Sequence, residues 1–340
     1  MIIIFFVKDE LIENYNFIIS CNNIIVDVLK YADSHKGWKE TKLDLKEKDI
    51  DKWNSKKYTI NYFRKHGYAK KLNKFYYKVI MFSLFSDYCS YIYDSIECAK
   101  IMHPNQAFTL LRKPLKDNLL LIEKFFTEKR FISHFLSDDI ENFEIGKIIN
   151  KKSIIKKCCK KIEYSRLYKQ LFNIRYDKSN KFALEKIWNK TIHIITTNPN
   201  YKTENGSLNM IFNSIDEVNQ YDNYYFAIMP LIQFYTVRIM FYFLYEEGYI
   251  SKLEFLQNNS LLTLNYYQLF CDTDDEHYKD LITDFHLICP KCGNNIKFGA
   301  SMIREDNVNL YYYFCKKCNN KISLSKFIHY SKEIEDKYAN

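Results

Sequence analysis

The chain has 340 residues and a formal net charge of +9, from 50 lysines and arginines against 41 acidic residues. Because 47% of the residues are hydrophobic and 27% are charged, the chain can bury a large core, which excludes an intrinsically disordered polymer. Only 7 glycines are present and no two form a G-x-G, which excludes the glycine-rich phosphate loops of Rossmann and P-loop nucleotide-binding proteins.

The first part of the chain is predicted to be helical, because apolar residues recur at helical spacing. In chain order, the pattern predicts a helix within 11–32, short helices and loops over 36–66, a long helix over 69–102, and a helix over 105–128. The long helix ends before Pro104, since proline disfavours helical geometry in the preceding residue. Pro114 lies inside the next helix and predicts a kink near Thr109 to Arg112.

The most apolar stretch of the chain follows later in this region. Shorter helices are predicted over 129–174, 179–195 and 251–262, with an ordered loop over 197–214. The apolar stretch predicts a long helix over 215–247 that is kinked at Pro230 and closed by Gly248 at its C′ position. Gln233 and Arg238 lie within it, and such side chains are rare at the centre of a membrane span. We therefore expect a buried helix and no membrane partner.

The composition changes near residue 266. Residues 1–265 are predicted to form one all-helical domain, and residues 266–283, which include the acidic stretch CDTDDEHYKD, predict a linker. Short segments rich in β-branched and aromatic residues follow over 284–322 and predict strands. Residues 323–340 predict a helical tail. The predicted fold class is mainly α, a large helical bundle followed by a small β module.

The β module contains two Cys-x-x-Cys pairs, Cys289 with Cys292 and Cys315 with Cys318. Such pairs bring four thiolates within reach of one tetrahedral ion. Over residues 284–320 the chain resembles the zinc-ribbon family, which implies one structural Zn²⁺, because a closed Cys₄ site leaves no open position for a substrate. Rubredoxin-type iron centres use the same spacing, so zinc and iron both fit the pattern.

The other six cysteines are scattered without paired spacing, which is typical of a reducing compartment. The apolar N-terminus, MIIIFFV, lacks the basic residues that precede the apolar core of a signal peptide. We therefore expect a cytoplasmic protein.

The positive charge has two interpretations. It suits a partner with phosphates, but the joint abundance of Lys, Asn, Ile, Tyr and Phe also follows from AT-rich codons, so local clusters must decide. Residues 147–161 hold seven lysines and no acid, and Lys152, Lys156 and Lys160 follow i, i+4 spacing. This helix predicts either a solvated face opposite buried isoleucines, or a surface for nucleic acid or for a membrane.

Basic residues interleaved with aromatic ones suit phosphate attraction combined with base stacking. The predicted nucleic-acid contacts are Lys151, Lys152, Lys156, Lys157 and Lys160 in the lysine-rich helix, and Lys316, Lys317 and Tyr312 beside the second cysteine pair. The alternative for the β module is packing on its own helical domain or on a protein partner.

Candidate catalytic groups lie on two predicted helices. Arg112, Asp117 and Glu123 are polar positions in an apolar helix, which predicts either a buried ion-pair network that includes Arg238 or an active-site cluster. His193 is predicted to share a helical face with Asn189 and could act as acid or base. The alternative for His193 is a hydrogen-bonded core residue.

The segment LLRKPLKDNLLLIEKFF, with a distant helix ending in Asn-Lys-Thr-Ile-His, resembles bacterial helical bundles of the HEPN and abortive-infection type over residues 70–245. The resemblance implies a dimeric bundle and a metal-independent ribonuclease in phage defence. Catalytic roles would then fall on Arg130 with His134, or on Arg112 with His193. Arg130 and His134 are one helical turn apart, closer in sequence than the pair in that family.

These observations predict a protein that binds nucleic acid or a nucleic-acid complex, in phage defence. Two alternatives stay open: a HEPN-like ribonuclease effector, and a non-catalytic scaffold that assembles with a protein partner or with a second copy of itself. The sequence leaves open whether the chain is an enzyme.

Overall fold

The computed structural model describes residues 8–34, 45–55, 59–136, 150–197, 202–203, 205, 208–209, 214–270, 286–289, 291–292, 294–297, 302–305 and 310–323. The helices are α1 (Ile12–Ser34), α2 (Glu47–Asn54), α3 (Ile60–Phe63), α4 (Ala69–Lys100), α5 (Pro104–Arg112), α6 (Leu119–Thr127), α7 (Ile132–Phe135), α8 (Lys151–Lys161), α9 (Leu167–Tyr176), α10 (Leu184–Ile192), α11 (Ile215–Glu246) and α12 (Lys252–Phe270). The predicted helical bundle is confirmed.

Helix α11 is the centre of the bundle. From Tyr225 to Leu244 nearly every residue is buried, because α1, α5, α6, α9 and α12 pack around it. Its core is aromatic: the ring of Phe243 lies 5.3 Å from Phe82 and 5.8 Å from Tyr77, between ring centroids. Among the described residues, α11 is the helix long and apolar enough to span a membrane, and 94% of its most apolar window is buried in protein. This burial supports the predicted role as a core helix.

The two prolines act differently from each other. Around Pro114 the chain forms a π-helical segment, Lys113–Asn118, between α5 and α6. The irregularity begins one residue after the predicted kink. A locally wider helical turn accommodates the proline, which has no N–H group to donate. Helix α11 continues through Pro230.

Gly248 ends α11 as predicted. Its φ is +76°, a left-handed geometry that favours glycine. The Gly248 N–H donates to the carbonyl of Tyr245 at 3.1 Å, and the Tyr249 N–H donates to that of Leu244 at 2.8 Å. These two bonds form a Schellman motif.

Helix α12 is longer than the predicted helix, because it continues from residue 262 to Phe270. Its asparagines do not interrupt it: Asn258 and Asn265 donate to the carbonyls of Glu254 and Leu261, one turn earlier. Residues 271–283 of the predicted linker and 324–340 of the predicted tail lie outside the described residues. The division into domains therefore stays a prediction.

The strands are β1 (His286–Ile288), β2 (Asn295–Lys297), β3 (Met302–Glu305), β4 (Leu310–Phe314) and β5 (Lys321–Ser323). Strand β1 pairs antiparallel with β2, with Leu287 opposite Ile296. Strand β4 pairs antiparallel with both β3 and β5, with Tyr312 opposite Ile303 and Ser323. One Cys-x-x-Cys pair follows β1 and the other follows β4.

Candidate functional site

The four cysteines of the two pairs converge. Their Sγ atoms all lie within 4.8 Å of one another. The Sγ atoms of Cys289 and Cys318 are 3.6 Å apart, as are those of Cys292 and Cys315. Disulfides are excluded, since an S–S bond is about 2.05 Å long. A tetrahedral ion with metal–sulfur bonds of about 2.3 Å needs sulfurs about 3.8 Å apart, so the cluster fits a Cys₄ metal site.

The two cysteine turns are built alike. The N–H of Cys289 donates to the carbonyl of Asn294 at 2.9 Å, and the N–H of Cys315 donates to that of Asn320 at 3.0 Å. Asn319 follows the last cysteine with a φ of +56°. At the matching place after Cys292 the sequence has Gly293, and both residue types tolerate this geometry better than others.

The turns also favour ionised sulfur at one position. Burial raises the pKa of Cys315, but the N–H groups of Cys318 and Lys317 lower it, and the resulting pKa is about 7. Burial raises the pKa of Cys289 to about 12. Metal binding therefore has to displace a proton from Cys289, which makes affinity for the ion fall as the pH falls.

Two of the three nucleic-acid contacts predicted near this cluster have side chains among the described residues. Lys316 and Lys317 are exposed between the two cysteines of the second pair. The backbone of Tyr312 lies in β4, but its side chain is outside the described residues.

The lysine-rich segment forms α8, and its two faces differ. Ile154, Ile155, Cys158 and Cys159 are buried, whereas Lys152, Lys156, Lys157 and Lys160 are exposed. Ile154 and Ile155 of the predicted isoleucine stripe are thus part of the core, whereas residues 147–149 lie outside the described residues.

The lysines of α8 fall into two groups. Lys151 pairs with Glu185 and Lys157 pairs with Glu128, both at 2.8 Å, and Lys161 pairs with Glu246 at 2.9 Å. Within the described part of the chain, no acidic group lies within ion-pair distance of Lys152, Lys156 or Lys160. The ammonium groups of Lys152 and Lys156 instead lie over the rings of Phe172 and Tyr168, at 5.4 and 5.6 Å from the ring centroids. We call Lys152, Lys156, Lys160, Tyr168 and Phe172 the basic face.

Glu123 belongs to a buried polar network, but its partner is not the predicted one. Its Oε1 accepts from Nη1 of Arg175 at 2.5 Å and from the hydroxyl of Tyr235 at 2.8 Å. Burial raises the pKa of Glu123, while Arg175 and Tyr235 oppose the rise by favouring the carboxylate. Arg238 lies one helical turn further along α11 than Tyr235 and contacts other groups, so the predicted link through Arg238 is wrong.

Arg112 and Asp117 stand apart from this pair. Both are half-buried, Arg112 at the end of α5 and Asp117 in the π-helical segment. Leu115 and Glu123, in the same part of the chain, are fully buried instead. The catalytic roles of Arg112 and Asp117 stay predictions.

His193 does not share a helical face with Asn189. Helix α10 ends at Ile192, and the backbone of His193 is extended, with φ −113° and ψ 118°. The Asn189 side chain donates to the carbonyl of Glu185 at 2.6 Å. His193 is exposed, so the alternative of a core histidine is also wrong.

Arg130 and His134 lie on a short turn and on α7, and both are exposed. Arg130 borders a cleft of about 340 Å³ together with Lys129 and Glu247. The ring of His134 lies 6.1 Å from that of Phe131. Their catalytic roles stay predictions.

Two features were missed by the sequence patterns. Arg175 is fully buried, although the sequence pattern of its helix is that of an ordinary amphipathic helix. A cleft of about 550 Å³ opens beside Arg238, and the one signal for it was an arginine within the most apolar stretch of the chain.

Comparison with known proteins gives a match over a short part of the chain. No family model matches the chain, so the HEPN-type resemblance has no support from that comparison. No solved structure matches it. The chain is 42% identical over 43 residues, 13% of its length, to the large ribosomal subunit protein uL24 of Aquifex aeolicus. The match spans 33% of that protein's length.

Proposed function

We propose that this protein binds nucleic acid through the basic face and through a structural zinc ribbon. The observation that carries the proposal is the row of three lysines on α8 without acidic partners, flanked by two aromatic rings of α9. Three unpaired ammonium groups attract phosphates, and adjacent aromatic rings offer stacking surfaces to bases.

The zinc ribbon is the second part of the proposal. Each cysteine pair sits in a turn that joins two antiparallel strands, β1 to β2 and β4 to β5. Four sulfur ligands fill a tetrahedral shell, so the ion would stabilise the fold and leave chemistry to other groups. Lys316 and Lys317 lie at the exposed tip of the second turn and would meet the same partner.

The partial match to a ribosomal subunit protein also supports this proposal. The ribosome is an assembly of RNA and protein, and a shared segment of 43 residues is in keeping with association with nucleic acid. Phage defence and assembly with a protein partner rest on the sequence patterns alone.

The proposal predicts binding that weakens with salt and depends on the basic face. Fluorescence anisotropy of labelled single-stranded RNA and DNA, measured with the full chain at several salt concentrations, gives the slope of log affinity against log salt. Replacing Lys152, Lys156 and Lys160 together by Glu should reduce this slope by about 2, because each phosphate contact contributes about 0.7 for single strands.

A matched control carries the same charge change elsewhere. Lys30, Lys48 and Lys65 are exposed in α1, in α2 and just after α3, and their joint replacement by Glu should leave the slope nearly unchanged. Lys316→Glu combined with Lys317→Glu tests the zinc ribbon separately. The proposal is contradicted if the basic-face and control variants reduce the slope equally. It is also contradicted if binding does not depend on salt concentration.

A further inference from the structure

The cleft beside Arg238 has the properties of a ligand site. It lies between the turn that joins α8 to α9, the start of α9, and one face each of α11 and α12, and its volume is about 550 Å³. Sites for small ligands have volumes of about 300–1,000 Å³. None of the residues of the basic face lines this cleft.

Arg238 brings a buried charge to this cleft without a counter-ion. Its side chain is 5% exposed. Nη1 donates to Oγ1 of Thr263 at 2.7 Å and Nη2 to the carbonyl of Ile162 at 3.2 Å, while Nε has no hydrogen-bond partner. Both partners are neutral, and no carboxylate of the described residues lies within ion-pair distance. A buried charge of this kind is unfavourable until an anion compensates it.

Of the groups around Arg238, Arg166 and the start of α9 add to the attraction for an anion, whereas Glu163 opposes it. Arg166 is exposed at the rim. Helix α9 begins at Leu167, also in the cleft wall, and the start of a helix carries a partial positive charge that favours phosphate. Glu163 is an exposed acid at the rim. Together with Tyr164 and Tyr242 it favours the charged form of Arg238, against the burial that lowers the pKa of Arg238.

The rest of the wall suits a planar, hydrogen-bonding group. Tyr164 lies against Arg238, with 4.2 Å from the guanidinium carbon to the ring centroid, and Tyr242, Phe255 and Tyr267 also line the cleft. Asn259 is 7% exposed, and its Oδ1 has no hydrogen-bond partner. The Asn259 amide group donates to the carbonyl of Phe255 at 3.0 Å, which leaves Oδ1 as an acceptor for a ligand.

We propose that this cleft binds a nucleoside monophosphate group, with the phosphate at Arg238 and Arg166 and the base against the aromatic wall. An amino group of the base or a sugar hydroxyl donates to Oδ1 of Asn259. The group comes either from a free nucleotide or from the phosphorylated end of a nucleic acid. The inference stands independently of the basic face, since it uses none of the same side chains.

Isothermal titration of the full chain tests this inference. The probes are the four ribonucleoside 5′-monophosphates, adenosine and inorganic phosphate. At least one nucleotide should bind with a Kd below about 1 mM. Adenosine and phosphate should each bind at least about tenfold more weakly, because each carries only one of the two groups that the cleft recognises. Absence of binding by all four nucleotides overturns the inference, as does phosphate binding as tightly as the nucleotides.

Variants locate the binding. Arg166→Glu should weaken the nucleotide about tenfold or more, since it reverses a charge at the phosphate, and Asn259→Leu should also weaken it. Lys178→Glu is the matched control, an equal charge change beyond the other end of α9 at an exposed residue. The two Arg238 variants compare nucleotide affinity with and without the buried charge: Arg238→Lys keeps the charge, and Arg238→Met removes it. Equal effects of Arg166→Glu and Lys178→Glu overturn the assignment.

Oligonucleotides distinguish the two sources of the ligand. A short RNA with a 5′-phosphate that competes with the mononucleotide, when its 5′-hydroxyl counterpart does not, identifies a chain end as the ligand. A mononucleotide that neither RNA displaces identifies a free nucleotide. Replacing the three lysines of the basic face should leave mononucleotide binding unchanged, so this inference can fail or succeed separately from the proposed function.

Discussion

Asp222 is a buried acid on α11 whose charge is poorly compensated. It is 2% exposed, and its Oδ1 has no hydrogen-bond partner. Burial raises the pKa of Asp222 to about 6, and Lys8 opposes the rise only in part. The folded protein therefore holds the Asp222 proton more tightly than the unfolded chain does, whose Asp pKa is about 3.9.

The sign of the pH dependence follows from this difference. Asp222 contributes its full stability below about pH 4, and this contribution is lost as the pH rises through about 6. Asp222→Asn removes the titration, so its free energy of unfolding should rise relative to the wild type by up to about 3 kcal/mol between pH 4 and pH 7. Urea unfolding at several pH values measures the difference.

A control for this measurement lies on the same helix. Gln220 is exposed on α11 and carries no ionisable group, so Gln220→Ala should change the free energy of unfolding by the same amount at every pH. A pH-independent difference for Asp222→Asn would show that its carboxyl group titrates normally.

At the scale of elements, the pair of Glu123 and Arg175 connects three helices. Glu123 lies in α6, Arg175 in α9, and Tyr235 of α11 donates to the same carboxylate oxygen. Nη2 of Arg175 also donates to the carbonyl of Leu115 at 2.8 Å, in the π-helical segment. Both charged side chains are fully buried.

Breaking this pair from one side should be costly. Arg175→Met leaves an uncompensated carboxylate in the core and should lower the free energy of unfolding by about 3–5 kcal/mol. The double variant with Glu123→Leu removes both charges and should recover most of that loss. Denaturant unfolding of both single variants and the double variant measures the coupling between the two residues.

An exposed pair provides the comparison. Lys113 and Asp87 lie 2.8 Å apart, with 47% and 39% of their side chains exposed. Lys113→Met should cost about 1 kcal/mol or less, because water screens such pairs. A similar cost for Lys113→Met and Arg175→Met would contradict the role of burial.

The elements themselves were largely predictable, and their limits less so. The 3.6-residue period of α4 and α11 and the left-handed Gly248 are local properties, so the sequence pattern located them. Pro114 lies in a π-helical segment that begins one residue after the predicted kink, and α12 ran past its predicted end. Both outcomes depend on how neighbouring helices supply packing and hydrogen bonds, which the local pattern does not contain.

At the scale of the whole molecule, the metal should be needed for the folding of one part of the chain only. The helical core is built from large apolar side chains, whereas the strands around the cysteines are three to five residues long. So small a β module needs its ion to fold. Cys315→Ser should abolish binding of one zinc ion per chain, measured by elemental analysis.

The helical bundle should survive this substitution. Its far-UV circular dichroism and thermal transition should stay close to those of the wild type, while limited proteolysis cuts within the residues after α12. Cys98→Ser is the control, since Cys98 is a half-buried thiol outside the cluster, and it should retain zinc. Loss of helical signal on zinc removal would instead show that the ion stabilises the whole chain.

The candidate sites differ in how far local sequence identifies them. Each cysteine pair is a local motif with the same short spacing, so the sequence pattern was enough to identify the four cysteines that cluster. By contrast, α8 carries lysines and no acid, and only the placement of Glu185, Glu128 and Glu246 distinguishes Lys151, Lys157 and Lys161 from the unpaired lysines. His193 was misplaced because α10 ends one residue before it.

The sequence alone determined the helical class, the apolar central helix and the cluster of four cysteines, because periodicity and close spacing act between neighbours in the chain. The tertiary structure decided which charges meet. Glu123 and Arg175 are 52 residues apart, and Arg238 contacts the carbonyl of Ile162, 76 residues away. Such contacts depend on how helices pack, so the cleft with its uncompensated arginine emerged only from the folded chain.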